Sequence, residues 1–164
     1  MPGMNASSPR SRGYTLIELV VVMAVLALLA TAVFPLAEIT VQRDREKELQ
    51  RALWQIRDAI DAYKRANDVG ALARTPGATG YPPTLAALVI GVAPSGGDGS
   101  GQRLAFLRRI PRDPFAPAEL PAEQTWGLRS YLSPADQPQP GDDVYDVYSR
   151  SDRVGLNGVP LKAW

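Results

Sequence analysis

Cysteine and histidine are both missing from this 164-residue chain. Without cysteine there is no disulfide framework, no thiolate nucleophile and no thiolate metal ligand. Without histidine the commonest general base and the commonest metal ligand are gone as well. An excess of either charge is also missing: 18 Lys and Arg stand against 17 Asp and Glu, for a formal net charge of +1. No basic field points to nucleic acid, and no acidic tail marks a solvating region. The length leaves room for one modest domain besides any apolar segment, which excludes a large multi-domain enzyme. Internal repeats are not evident.

One long apolar run is present. It reads RGYTLIELVVVMAVLALLATAVFP from Arg12, and between Leu19 and Ala30 no side chain is polar. If Thr31 and Pro35 are tolerated, the apolar character continues to Ala37, and Glu18 is the only charge before Glu38. That approaches the roughly 20 residues needed to cross about 30 Å of hydrocarbon as a helix. A domain this small could hardly surround a helix that is apolar on every face, so a membrane segment is expected. Arg10 and Arg12 precede the run and few charges follow it for some distance, which places the N-terminus in the cytoplasm and the C-terminal bulk outside. An ordinary secretory signal has its cleavage site after the apolar core. Here Gly13 lies before it, and the polar leader Met1 to Gly13 has no apolar core of its own. Cleavage at Gly13 would leave the apolar segment as the mature N-terminus, held in the membrane yet able to be drawn out. A start at Met4 would shorten the leader without altering Gly13.

Arg12-Gly13 followed by Tyr14-Thr15-Leu16-Ile17-Glu18-Leu19-Val20 resembles the class III signal of type IV prepilins and of the pseudopilins of type II secretion. The resemblance implies that a prepilin peptidase cuts between Gly13 and Tyr14 and methylates the new amine of Tyr14. The family usually has Phe at that position, and Tyr14 keeps the aromatic ring. Glu18, five residues past Gly13, and Pro35, twenty-two past it, stand at the family's spacing. A carboxylate in hydrocarbon is costly unless paired. The resemblance implies that Glu18 of one subunit pairs with the N-terminal amine of a neighbour and sets the register of a packed bundle. The other reading places Glu18 at the headgroup boundary, solvated and idle. Pro35 lacks an amide hydrogen and clashes with the carbonyl four residues back, so the helix should kink or loosen there. By resemblance the adjoining stretch melts when subunits pack, whereas a plain kink is the simpler alternative.

Beyond Pro35 the pattern becomes amphipathic. Leu49, Leu53, Ile56, Ile60 and Tyr63 recur at steps of four and three, one helical stripe, with Trp54 off it and free to face a neighbouring subunit. Arg57 with Asp61, and Asp61 with Arg65, offer i,i+4 pairs worth a few tenths of a kcal/mol each. The helix should run to about Ala66 and stop between Asn67 and Gly70. From Gly70 onward proline and glycine multiply, so turns replace long helices. GYPPTLAALV reads as a turn into a short helix capped by Thr84, PSGGDGSGQ (residues 94–102) as a mobile surface loop, and WGLRSYLS and DVYDVYS as half-buried antiparallel strands. Leu104, Phe106, Leu107 and Ile110 supply apolar packing before a turn at Pro111 to Pro114. The expected fold is α+β: a long N-terminal transmembrane and amphipathic helix with a small antiparallel sheet packed on its C-terminal half. The expected divisions are a leader over 1–13, a membrane and fibre-core half-helix over 14–37, an amphipathic half-helix over 38–69, and a periplasmic head over 70–164.

Tyr81-Pro82-Pro83, Arg109-Ile110-Pro111-Arg112-Asp113-Pro114 and Tyr145-Asp146-Val147-Tyr148-Ser149 resemble stretches of the major, G-type pseudopilin of type II secretion. Type IV pilins generally close their C-terminal region with a cysteine pair, which this chain lacks. Two departures stand out. The glycine-rich insertion around Gly96 to Gly101 is longer than usual, and the loop SRSDRVGLNGVPLKAW has fewer acids than the family's calcium-binding loop. Calcium needs six to eight oxygens. Asp152 and Asn157 could supply part of that shell, with Asp142, Asp143 or Asp146 contributing if the strands bring them close. Alternatively Asp152, Gly155, Asn157 and Gly158 serve two tight turns, and Pro160, Leu161 and Trp164 anchor the C-terminus by packing.

The resemblance implies a structural subunit of a periplasmic pseudopilus that drives exoproteins through the outer membrane. Implied partners are further copies of the chain in a helical fibre, the prepilin peptidase, minor pseudopilins, an inner-membrane platform with its ATPase, and a secretin. No nucleic acid is implied. No catalysis is expected: Asp113 and Asp146 are candidates for an acid/base pair, but nothing in their spacing brings them together. A type IV pilin for adhesion, motility or DNA uptake is one alternative reading, and a signal-anchored periplasmic binding domain is another.

Overall fold

The computed structural model describes residues 13–73, 76–96 and 101–164, with the side chains of 32–37 excepted. Arg10, Arg12 and the rest of the leader before Gly13 lie outside the described residues, as do residues 97–100 of the glycine-rich stretch and the side chain of Pro35. The chain divides into two compact units, Met1–Val41 and Gln42–Trp164. Helix α1 covers Leu16–Asp68.

In the first unit α1 is apolar on all sides from Leu19 to Ala30, and among the described residues these side chains stay exposed. Every large apolar side chain from Leu16 to Leu29 is at least half exposed. Among the described residues no helix is long and apolar enough to cross a membrane. The apolar stretch with described side chains ends at Thr31. At about 1.5 Å per residue, positions 16–31 reach only roughly 24 Å, against the ~30 Å of a hydrocarbon core.

In the second unit the amphipathic stripe builds the core. Leu49, Leu53, Ile56, Ile60 and Tyr63 are all buried, and Ala52 and Ala59 widen the stripe. The helix continues two residues beyond Ala66, and the chain leaves it through Gly70, whose φ of 72° is one that glycine adopts freely. Leu72, Leu85, Leu88, Leu107, Trp126, Val144, Val147 and Leu161 join the stripe in one cluster, with Phe106, Ile110 and Trp164 packed against it. Leu104 is the exception among the expected packers, since it stays 40% exposed. Helix α2 (Leu85–Ile90) is capped at its N-terminus by Thr84, whose hydroxyl accepts from Ala87 N, and it ends at Gly91. Strands β1 (Trp126–Arg129) and β2 (Asp146–Ser149) pair antiparallel, with Trp126 opposite Ser149 and Arg129 opposite Asp146. The fold is the expected α+β arrangement of a long helix and a small antiparallel sheet.

Two local expectations fail for physical reasons. Strand β2 alternates in burial but β1 does not, since Trp126 and Gly127 are both covered. The Tyr148 ring lies over Gly127, where a Cβ would come within 2.3 Å of it. Arg57 pairs with Asp146 rather than with Asp61, because its face of α1 meets the sheet and the C-terminal segment, and the i,i+4 ion pair that does form along α1 in this stretch is Lys64 with Asp68.

Candidate functional site

Gly13 and Tyr14 precede α1 as exposed chain without regular structure, with open space around the Gly13 Cα. A segment of that kind can enter a protease cleft without unfolding anything. Thr15 then starts the helix: its hydroxyl accepts from Glu18 N at 3.2 Å and its carbonyl from Leu19 N at 3.2 Å. Thr15-Leu16-Ile17-Glu18 has the spacing of a capping box, a local signal that the reading of Glu18 as an assembly residue passed over. Glu18 therefore sits in the first turn of α1, where the helix dipole favours a carboxylate. It is exposed, and around it the exposed apolar side chains make a surface far larger than the few hundred Å² that a monomeric soluble protein shows. Such a surface calls for lipid or for other helices of the same kind.

The C-terminal segment is tied to α1 by two charged side chains. Arg57 donates to Asp146 Oδ1 at 2.8 Å, to the Val147 carbonyl at 3.1 Å and to the Trp164 carbonyl at 2.8 Å. Glu46 is 9% exposed, and its Oε1 accepts from Leu156 N and from Gln42 Nε2, both at 2.9 Å. Neither role was evident in the sequence, since both residues sit among many charges along the helix and their partners lie about ninety and more positions away.

Asp152 and Asn157 are not brought together with other carboxylates. Asp152 lies 3.6 Å from Lys162 Nζ, with its side chain 95% exposed. Asn157 Oδ1 accepts from Val159 N at 3.0 Å, an Asx turn. Asp143 is buried and takes the Thr79 hydroxyl on one oxygen and Tyr131 N on the other. Among the described residues no group of three or more His, Cys, Asp or Glu could hold a metal ion. Asp113 is buried, accepting from Ser149 Oγ at 2.6 Å and Phe115 N at 2.8 Å, while Asp146 is engaged with Arg57. Each of the two acid/base candidates is thus bound into the framework by its own partners.

Tyr81, Tyr131 and Tyr145 form an aromatic group with ring centroids 5.0 to 5.6 Å apart, flanked by Lys64 and Arg129 over the ring faces. Burial pushes the Tyr63 and Tyr81 hydroxyls above their ordinary values, and the hydrogen bond to Asp68 raises the Lys64 ammonium.

Residues 8–34 match the family model of the prokaryotic N-terminal methylation motif. Comparisons with curated proteins and with solved structures return no match. The leader fits anchoring in a membrane followed by transfer to a surface or periplasmic fibre, and it suggests processing by a prepilin peptidase. The methylation motif, the long N-terminal helix and the small antiparallel sheet together support a type IV pilin-like chain with a prepilin-type leader.

Proposed function

We propose that the chain is a structural subunit of a type II secretion pseudopilus, acting by assembly and not by catalysis. A prepilin peptidase cuts between Gly13 and Tyr14 and methylates the Tyr14 amine. The subunit is held in the inner membrane by residues 14–37, N-terminus cytoplasmic, with the amphipathic half-helix 38–69 and the head 70–164 in the periplasm. It then joins a helical periplasmic fibre whose growth, on an inner-membrane platform and beneath minor pseudopilins, moves exoproteins through a secretin. The observation that carries this reading is the exposed apolar stretch of α1 from Leu16 to Leu29, holding a single carboxylate, Glu18, and lying within the matched methylation motif of residues 8–34. In a bundle of such helices the Glu18 carboxylate meets the Tyr14 amine of the next copy. An unpaired carboxylate would penalise every wrong register. Pro35, with no amide hydrogen to hold the turn before it, is where α1 yields as copies pack.

The decisive experiment is the intact mass and N-terminal sequence of the protein extracted from membranes with and without a prepilin peptidase. A chain beginning at methylated Tyr14 only when the peptidase is present is the expected result, together with short periplasmic fibres that Glu18→Ala abolishes. Long surface fibres would make the chain a type IV pilin instead. An uncut chain in both cells would overturn the fibre reading and leave a plain membrane anchor.

A further inference from the structure

We infer that the C-terminal segment of the head is locked to α1 by a resident cation, the Arg57 guanidinium, and by the Glu46 carboxylate, and that calcium has no place there. This holds whichever fibre the chain builds.

A calcium ion needs six to eight oxygens converging at about 2.3–2.6 Å. Several oxygens of this loop are already committed to hydrogen bonds within it. Val159 O accepts from Gly155 N, Gly155 O from Gly158 N and Arg153 O from Leu161 N, each at 2.9 Å. Asn157 Oδ1 is taken by Val159 N, and the Asp152 carboxylate projects into solvent beside Lys162. The loop also has the wrong polarity for a cation. Toward the buried Glu46 carboxylate of α1 it turns a donor, Leu156 N–H, and the Val154 carbonyl that also faces α1 is taken by Gln42 Nε2 at 3.5 Å. A cation at that point would face an N–H and have to displace it.

The oxygen set that resembles a cation site lies next door and is filled by protein. Asp146 Oδ1 and the carbonyls of Val147 and Trp164 converge on Arg57, one carboxylate and two backbone oxygens around a fixed positive charge. A guanidinium presents its donors as a rigid planar fork. Unlike a bound metal, it cannot be removed by a chelator. Gly155 completes the lock: a Cβ there would come within 2.7 Å of the Trp164 ring, so glycine lets that ring approach the loop.

The test is limited trypsin digestion of the full-length protein in detergent micelles, following cleavage after Arg153 and Lys162 by mass, with added calcium chloride or with a chelator. Cleavage of the unmodified protein should proceed at the same rate in both. Arg57→Ala and Glu46→Ala should each be cut about tenfold faster, because each removes charge-assisted hydrogen bonds that hold the segment closed. That gain should be the same with and without calcium. Arg57→Lys, which keeps the charge but loses the fork, should fall between. If calcium protects the unmodified protein, or if both alanine variants are cut at its rate, the inference is wrong. The comparison of calcium with chelator needs no variant, so it decides the calcium half even if Arg57→Ala does not fold.

Discussion

Trp54 and Trp126 show how differently one residue type is used in this head. Trp54 stands on α1 off the buried stripe and is 77% exposed, whereas Trp126 is almost wholly covered and donates its Nε1–H to the Pro111 carbonyl at 2.8 Å. Trp54→Ala should therefore leave stability within about 0.5 kcal/mol of the parent. Trp126→Ala removes a large core side chain and strands a carbonyl, and should cost roughly 3–5 kcal/mol. Urea denaturation of the full chain in detergent, followed by circular dichroism, distinguishes the two. A large loss at Trp54 would show that the stripe extends to Trp54 as well. The position of Trp54 was readable from helical phase alone. The indole bond of Trp126 to Pro111 was not, because it joins segments fifteen residues apart through a turn with no periodicity.

At the level of elements, α2 is a six-residue helix held by its ends. So short a helix has little stability of its own, and it persists because Thr84 caps it, Leu85 and Leu88 are buried, and Gly91 turns the chain out with φ 80°. Val92 then bridges Leu104. A Cβ at Gly91 would lie 2.8 Å from the Leu104 carbonyl, which is backbone and cannot swing away. Gly91→Ala is expected to destabilise by at least ~1 kcal/mol, and Thr84→Ala by about 1 kcal/mol. The measurement is again the denaturation midpoint, and a neutral Gly91→Ala would mean that the bridge to Leu104 is dispensable. The cap and the strands could be read from local patterns, threonine before an apolar run and alternation before a turn. The covered glycine of β1 could not, since its neighbour is the Tyr148 ring of the paired strand, placed there by register.

For the molecule as a whole, unfolding at alkaline pH follows from groups that gain protons in the folded state. Tyr63 and Tyr81 are raised by burial from 10.0, and Lys64 is raised from 10.5 chiefly by its bond to Asp68. A folded-state value above the unfolded one means that the folded chain keeps its proton while the unfolded chain has lost it. Stability from these groups is thus complete below about pH 10 and declines as pH rises past it. The unfolding temperature, followed by circular dichroism, should be flat to about pH 10 and then fall. An unfolding temperature that stays flat well past pH 10 would mean that these groups do not hold their protons more tightly in the folded chain.

The sequence by itself determined the features that are written in consecutive residues: the leader motif, the lone carboxylate in an apolar helix, the stripe that becomes the core, and the absence of any cysteine staple. Helical and strand periodicities are local, and so is a protease motif read as extended chain. How the C-terminal segment is held emerges only when the chain is folded. Asp152 and Asn157 looked like part of a cation shell because their loop stands where the family it resembles binds calcium, yet the residues that lock this segment are Glu46 and Arg57. A charged residue on an amphipathic helix carries no mark of which distant carbonyl or N–H it will meet. That choice is made when burial of the stripe brings the sheet and the last residues against α1, leaving backbone polar groups that must be paired at the contact.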